Sequence, residues 1–155
     1  MKKDIINNLM NQFIKIAYKL NELDKIPIDF GTGELLHPSE IHTIDAIGDK
    51  FNTVTEISQK FGITKGAVSQ VIIKLNKKGY VQKVRNEAYS KEILISLTDK
   101  GLIAYQAHKE LHKAMDTEII QLMNGYTDEW LLTFQNMLLQ LEKQIDKYMY
   151  LGRGN

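Results

Sequence analysis

The chain has 155 residues, no cysteine, and 20 basic against 19 acidic residues, which leaves a formal net charge of +1. The lack of cysteine excludes disulfides, thiolate metal sites and cysteine nucleophiles. Its apolar and charged contents are typical of one globular domain, and no apolar run is long enough to span a bilayer. No signal-peptide core follows the first residues, so we expect a cytoplasmic protein.

Both ends of the chain carry apolar residues at alternating steps of three and four. The two series are Ile6, Leu9, Phe13, Ile16, Leu20 and Leu23, and Leu131, Phe134, Leu138, Leu141, Ile145 and Tyr148. This spacing predicts two helices with apolar stripes of the coiled-coil kind, the first ended by Pro27 and the second preceded by Gly125. Each stripe could face its own core; we favour a homodimer in which residues 1–35 and 99–155 supply the dimerisation helices.

Two further helices are predicted between these ends. The first runs from Pro38 to Gly48 and has an apolar stripe that leaves His42 on the other side. The second begins with a capping box formed by Thr53 and Glu56 and continues through Lys60. Gly62, two residues later, ends it.

The next segment completes a helix-turn-helix followed by a hairpin. Thr64 is placed to cap a helix over Lys65–Lys78, which Gly79 ends. Two β-rich runs follow, Tyr80–Arg85 and Ile93–Leu97, around a polar tip. This order predicts a winged helix-turn-helix over residues 36–98, in a fold that is mainly α with a small β-hairpin wing.

Charge supports DNA as the partner of this segment. Residues 60–91 hold eight basic residues and one acid, a net charge of +7 in a chain of +1. The alternative is a solvated lysine-rich surface without a partner. On the second helix of the motif, Val68, Ile72 and Leu75 share the core face, so the opposite side is free to read bases or bind phosphates. The DNA-binding candidates are Thr64, Lys65, Gly66, Ser69, Gln70 and Lys74, with Lys83, Arg85 and Lys91 in the hairpin.

Three stretches resemble the MarR-type transcriptional regulators: Leu36–Ile47, Leu75–Val81, and Ile93–Gly101, in which a strand leads through Leu-Thr-x-x-Gly into a long helix. The resemblance covers nearly the full length and implies one MarR-like domain over 1–155, dimeric through interleaved terminal helices. One departure is at the wing tip. The acidic residue and arginine usual there are replaced by Tyr89-Ser90-Lys91, and lysine offers a point charge rather than a fork.

The histidines indicate a possible effector. His108 and His112 lie four residues apart on the predicted long helix, on a face shared with Tyr105, Met115 and Ile119, which we expect to point inward. Two such imidazoles form half of a zinc site, and His42 with Asp24 completes a four-ligand shell without thiolate.

These four positions also resemble the zinc-sensing repressors of zinc uptake within the same family. That branch holds its metal through an acid at the end of the first helix, one histidine in the second and a His-x-x-x-His pair, which correspond here to Asp24, His42, His108 and His112. The second metal site of that branch is not preserved, since Phe30, Ile41 and Ala107 stand at its ligand positions. The alternatives are a phenolic or other small organic ligand, or no ligand.

The sequence therefore predicts a homodimeric transcriptional regulator, for which we favour repression over activation. It is expected to bind a pseudo-palindromic DNA operator with an affinity that an effector controls. We expect no enzyme, because the motifs of nucleophile elbows, phosphate loops and zinc proteases are all missing from the sequence. The remaining alternative is a winged-helix module that binds protein instead of DNA.

Overall fold

A computed structural model of the chain describes residues 1–50, 52–85 and 93–152. Its elements, in chain order, are α1 (Lys2–Leu23), β1 (Ile28–Asp29), β2 (Leu35–Leu36), α2 (Pro38–Ile47), α3 (Val54–Phe61), α4 (Lys65–Lys77), β3 (Val81–Arg85), β4 (Ile93–Leu97), α5 (Asp99–Met123) and α6 (Asp128–Gly152). The chain divides into two compact units, Met1–Glu110 and Leu111–Asn155, and each is treated by itself below.

The core of the first unit gathers the inner faces of α2, α3 and α4 against the β3–β4 hairpin. Its fully buried side chains include Ile44, Ile57, Ile72 and Tyr80. The hairpin is antiparallel, with Val81 opposite Leu97 and Arg85 opposite Ile93; a single bridge adds Asn52 to Ile95. The predicted fold class, mainly α with a small β-hairpin wing, is confirmed.

One close contact fixes the start of α5 on the hairpin. A Cβ added to Gly101 would lie only 2.1 Å from the carbonyl oxygen of Tyr80. Thr98 stands between them in the chain and donates its hydroxyl to the Gly79 carbonyl, at 2.6 Å. Only glycine allows the helix this approach, so the Leu-Thr-x-x-Gly pattern that resembled the family has a packing reason.

A two-stranded hairpin between α1 and α2 was not predicted. Ile28 pairs with Leu36 and Asp29 with Leu35, and the Asp29 carboxylate accepts the backbone N–H groups of Thr32 and Gly33. Thr32 also shares a 2.6 Å hydrogen bond with the hydroxyl of buried Tyr80. The segment after Pro27 is thus an ordered turn that is bonded to the core.

The second unit contains the last part of α5 and the whole of α6. Thr127 caps α6 by accepting the Trp130 N–H at 3.3 Å. Tyr126, Trp130 and Phe134 stack along one side of the helix, with ring centroids 4.2 and 5.2 Å apart. In the part of the chain that is described, no helix combines the length and the hydropathy needed to cross a membrane.

Candidate nucleic-acid interface

The turn between α3 and α4 sets the position of the second helix. Thr53 caps α3, and its own backbone N–H donates to the Glu56 carboxylate, at 2.7 Å. Gly62 follows α3 in the left-handed region, with φ 63°, which turns the chain sharply. Thr64 then caps α4 by accepting the Ala67 N–H at 3.2 Å. The predicted caps are confirmed, and α4 is presented as a recognition helix would be.

Helix α4 has one buried and one exposed face. Val68, Ile72 and Leu75 are buried. On the other side, Gly66, Gln70 and Lys74 are exposed and Ser69 is half-buried; Lys65 is also exposed, at the first turn of the helix. These side chains therefore share the surface of one helix, which is the arrangement that direct readout of a major groove requires.

Lys65 occupies an electrostatically unfavourable position for the helix itself. It is the first residue of α4, whose first turn contains no acid. A cation at a helix N-terminus opposes the macrodipole, at a cost of roughly 0.3–1 kcal/mol when exposed. The fold gains nothing from this charge, so it is better explained by an anionic partner such as a DNA phosphate.

Two of the eight basic residues in segment 60–91 have structural roles instead. Lys60 donates to the carbonyl oxygen of Ala46 at 2.7 Å, near the end of α2. Lys78 lies within 3.0 Å of both carboxylate oxygens of buried Glu40. The charge available to a partner is accordingly smaller than the count from sequence, and it is concentrated on α4 and the hairpin.

A second ion pair lies beside Lys78. Lys100 donates to Glu34 at 2.9 Å and to the Lys78 carbonyl at 3.0 Å, with its Nζ 4.3 Å from the centre of the Tyr80 ring. The hydrogen bond from Lys100 lowers the pKa of Glu34, and the same bond raises the pKa of Lys100. Both charges are therefore maintained at neutral pH, and they tie the start of α5 to the hairpin before α2.

The wing is described only in part. Lys83 is exposed on β3, and Arg85 pairs through its backbone with Ile93. The side chain of Arg85 and the whole of Lys91, with the departure at Tyr89-Ser90-Lys91, lie outside the described part of the chain. Their contact with DNA stays a prediction.

Two of the four predicted zinc ligands meet in the first unit. The rings of His42 and His108 have centroids 5.7 Å apart. His108 is only 5% exposed, and its Nδ1 lies 3.6 Å from a carboxylate oxygen of Asp45. The ring of Phe30 also packs edge-on against the imidazole of His108, with 5.6 Å between the ring centroids.

The four residues do not form a complete metal shell. Among the described residues, no three His, Cys, Asp or Glu side chains lie where one ion could bind them all. His112 is exposed and falls in the second unit, as do exposed Met115 and Ile119. His108 is the part of this face that is buried in the first unit; that the rest of the face points inward stays a prediction.

An open cavity of about 670 Å³ lies at the start of α2. Asp24 and Lys25, at the end of α1, line one side, and Lys74 of α4 lines another. The remaining lining residues, at the beginning of α2, are His37, Pro38, Ser39, Glu40 and His42. Asp24 and His42 are thus brought to one cavity, and a residue of the recognition helix contributes to its wall.

Glu40, Lys25 and His37 also line this cavity and were not predicted as members of the site. Glu40 is the third residue of α2, and its carboxylate accepts the His37 N–H at 2.9 Å. This is half of a capping box. The glutamate signal was therefore present in the sequence, but the histidine before Pro38 is not a usual partner for it.

Comparisons with known proteins agree with this architecture. The family model described as MarR family matches residues 36–88. An uncharacterised HTH-type transcriptional regulator of Bacillus subtilis, YhjH, is 28% identical over 126 residues, which is 81% of this chain and 72% of that protein.

Two solved structures extend the comparison to the fold. The zinc-responsive MarR family member ZitR of Lactococcus lactis superposes with a TM-score of 0.76 at 20% identity, over 90% of this chain and 99% of the other. Streptococcus pneumoniae FabT in complex with DNA gives 0.65 at 27% identity, over 92% and 96%. The comparisons together confirm the prediction of a regulator and not an enzyme: residues 36–88 match the MarR family of transcriptional regulators, and most of the chain is similar to DNA-binding regulators of that kind.

Proposed function

We propose that the chain is a homodimeric, sequence-specific repressor whose affinity for a pseudo-palindromic DNA operator is controlled by an effector. Residues 36–98 form the DNA-binding lobe, and 1–35 with 99–155 supply the dimerisation helices. The observation that carries the proposal is the exposed surface of α4, together with Lys65 at its first residue, where the charge disfavours the helix and favours an anion.

Base reading falls to the middle of that face. The Gln70 side-chain amide can bond adenine twice, its oxygen accepting from N6 and its NH2 donating to N7, and Ser69 can reach a neighbouring base edge. Gly66 allows the backbone close to the groove, while Lys65 and Lys74 bind phosphates and fix the register. Two such helices related by a two-fold axis read half-sites roughly 34 Å apart.

The first support for a homodimer is α1. The structure describes this helix in full, and no residue along it is buried. Its stripe leaves Leu9 and Leu20 each 60% exposed. In α6, likewise, residues 128–149 include none that is buried. The stripe of α1 and the outer half of the α6 stripe each expose apolar side chains of the kind that mark an interaction surface, and a second copy of the chain would cover both.

A charge placed in the α1 stripe tests the dimer. Leu9→Asp should shift sedimentation equilibrium toward monomer and lower operator affinity by at least tenfold. The matched control is Asn11→Asp, which adds the same charge on the other side of α1 and should leave both unchanged. A monomeric wild-type protein at micromolar concentration, or equal effects of the two variants, would reject the dimer.

Zinc is the first candidate effector. The support is the His42–His108 ring contact, the presence of Asp24 and His42 in one cavity, and the zinc-responsive neighbour of similar fold. The incomplete shell in the described residues is the evidence against it. An effector acts by favouring one of two dimer conformations that differ in the separation of the recognition helices, and we expect zinc to favour DNA binding.

The cavity favours a second candidate, a small organic anion. Its wall holds Lys25, Lys74 and two histidines against Asp24 and Glu40, and Glu40 is already neutralised by Lys78 at 2.9 Å. Lys25 is likewise paired with Glu22, at 2.7 Å, which leaves Lys74 as the cation of this wall for an anion to bind. No aromatic side chain other than the imidazoles is among the described lining residues, so the cavity suits a small polar acid better than a phenolic ring.

Binding of a labelled duplex from the gene's own upstream region separates these effectors. Affinity should be measured at fixed salt, first with chelator and then with buffered zinc. A zinc-dependent gain that is lost in His112→Ala, an exposed position, establishes metal control. Unchanged affinity in folded, dimeric protein rejects zinc, and titration with short carboxylic acids then tests the cavity, with Lys25→Ala as its variant.

A salt titration tests DNA binding against the protein-interaction alternative. A complex held by phosphates weakens steeply with salt, because each neutralised phosphate releases counterion. A shallow dependence, together with equal affinity for all duplexes, would reject the proposed function.

A further inference from the structure

The exposed face of α4 contains one apolar side chain that neither the fold nor the charge argument explains. Ile73 is 52% exposed, whereas Val68 and Ile72 on the same helix are 1% exposed. Val71 packs against the core, and Ile73 is not among the side chains that do. Within α4, which is described in full, Ile73 is the only large apolar residue that points outward.

Local structure gives no reason for isoleucine at this position. A β-branched residue is a weaker helix former than the lysine, glutamine or alanine that a solvent-facing position usually carries. Its exposed surface also contributes nothing to the core. A single exposed apolar residue is unremarkable elsewhere on a protein, but this one lies on the face that reads DNA.

Its neighbours are those of the base-reading residues. Ser69 and Gln70 lie four and three residues before Ile73, and Lys77 lies four after it, so all of them line one side of the helix. At roughly 100° per residue, Ile73 is closer to the middle of that side than Lys74, which lines the cavity at the flank.

We propose that Ile73 is a specificity-determining residue that contacts the C5-methyl group of a thymine in the operator. In the major groove this methyl is the one apolar group that distinguishes bases, and apolar side chains are what recognise it. The inference rests on the proposed DNA-binding function and adds to it a base type and the atom read, beyond the polar contacts of Ser69 and Gln70.

Removal of the methyl group tests the contact directly. Duplexes are first selected from a random pool by the full-length protein, and each thymine of the selected half-site is then replaced by deoxyuridine. At one thymine the wild type should lose about fourfold in affinity per half-site, from the burial of one methyl group. Ile73→Ala should bind thymine and uracil duplexes equally at that position and keep any other thymine preferences.

The matched control is Lys77→Ala on the same face. It should weaken all duplexes alike and retain the thymine preference. If a specific duplex is selected but no thymine shows an effect that depends on Ile73, the inference is wrong while the proposed function stands. If Ile73→Ala instead loosens the dimer, Ile73 belongs to an interface between copies and the inference is again wrong. If no duplex is enriched, both fail.

Discussion

The carboxylate of buried Glu40 and the ammonium group of half-buried Lys78 form an ion pair, 2.9 Å apart, between the start of α2 and the end of the recognition helix. Glu40 is 4% exposed and also accepts the His37 N–H. The pair thus holds the C-terminal end of α4 against a wall of the cavity. Any effector that enters the cavity meets a residue that positions the DNA-binding helix.

Loss of this pair should destabilise the fold. Glu40→Gln leaves Lys78 half-buried without its main carboxylate, and we expect a loss of about 2 kcal/mol in the free energy of unfolding, less than for a fully buried pair. Urea unfolding measures it. The control is Glu22→Gln, which removes the exposed Lys25–Glu22 pair at 2.7 Å and should cost about 0.5 kcal/mol or less. Equal losses of unfolding free energy in the two variants would show that the Glu40–Lys78 pair stabilises the fold no more than an exposed pair does.

Two glycine-to-alanine changes should have opposite signs. Alanine in place of helical glycine ordinarily stabilises by up to about 1 kcal/mol, and Gly66→Ala should do so, since its Cβ would meet only the Thr64 hydroxyl, at 3.9 Å. Gly101→Ala should destabilise by at least about 2 kcal/mol, because the Tyr80 carbonyl is rigid backbone at 2.1 Å. Thermal unfolding of both variants tests this, and a stabilised Gly101→Ala protein would contradict the observed packing.

The helices were predictable because residues close to each end in the sequence determine where a helix begins and ends. The capping box of Thr53 and Glu56, the left-handed Gly62 and the cap at Thr64 each act within three residues. The hairpin before α2 was missed because strands of two residues show no alternation to detect. It depends instead on the bond between Thr32 and Tyr80, 48 residues apart.

The sequence predicted which types of residue form the site, but not which contacts those residues make in the fold. Counting charges located the basic segment, but Lys78 finds its carboxylate 38 residues away, which no local pattern indicates. Likewise, the spacing of four residues places His108 and His112 on the same face of α5, but His108 is buried and His112 is exposed. How far burial extends along a helix depends on what packs on it, and the sequence of that helix does not contain this information.

The stability of the α3 cap should depend on pH. Hydrogen bonds from the Thr53 backbone N–H, and then from its hydroxyl, lower the pKa of Glu56. A carboxylate with a lowered pKa contributes stability that is fully present above the unfolded value, about 4.3, and is lost as pH falls through the folded value. The difference in urea midpoint between wild type and Glu56→Gln should therefore be constant from pH 7 to about 5.5 and change below pH 4.5. A difference that stays constant down to pH 3 would contradict this assignment.

The lysines of the basic segment should separate into two classes in a salt titration. Each phosphate contact contributes about 0.9 to the slope of log affinity against log salt, and a dimer carries every contact twice. Lys65→Ala and Lys74→Ala should each lower the slope by about 2. Lys65→Ala should also raise the free energy of unfolding slightly, since it removes a cation from the start of α4.

Lys60→Ala is the control for this separation, because it removes the same charge from the same segment. Its ammonium group is bonded to the Ala46 carbonyl at 2.7 Å, so the variant should lose stability and keep the wild-type salt slope. A slope that falls equally in all three variants would mean that the segment attracts DNA by its total charge alone. In that case the geometry of α4, and with it the assignment of Lys65 and Lys74 to particular phosphates, would be wrong.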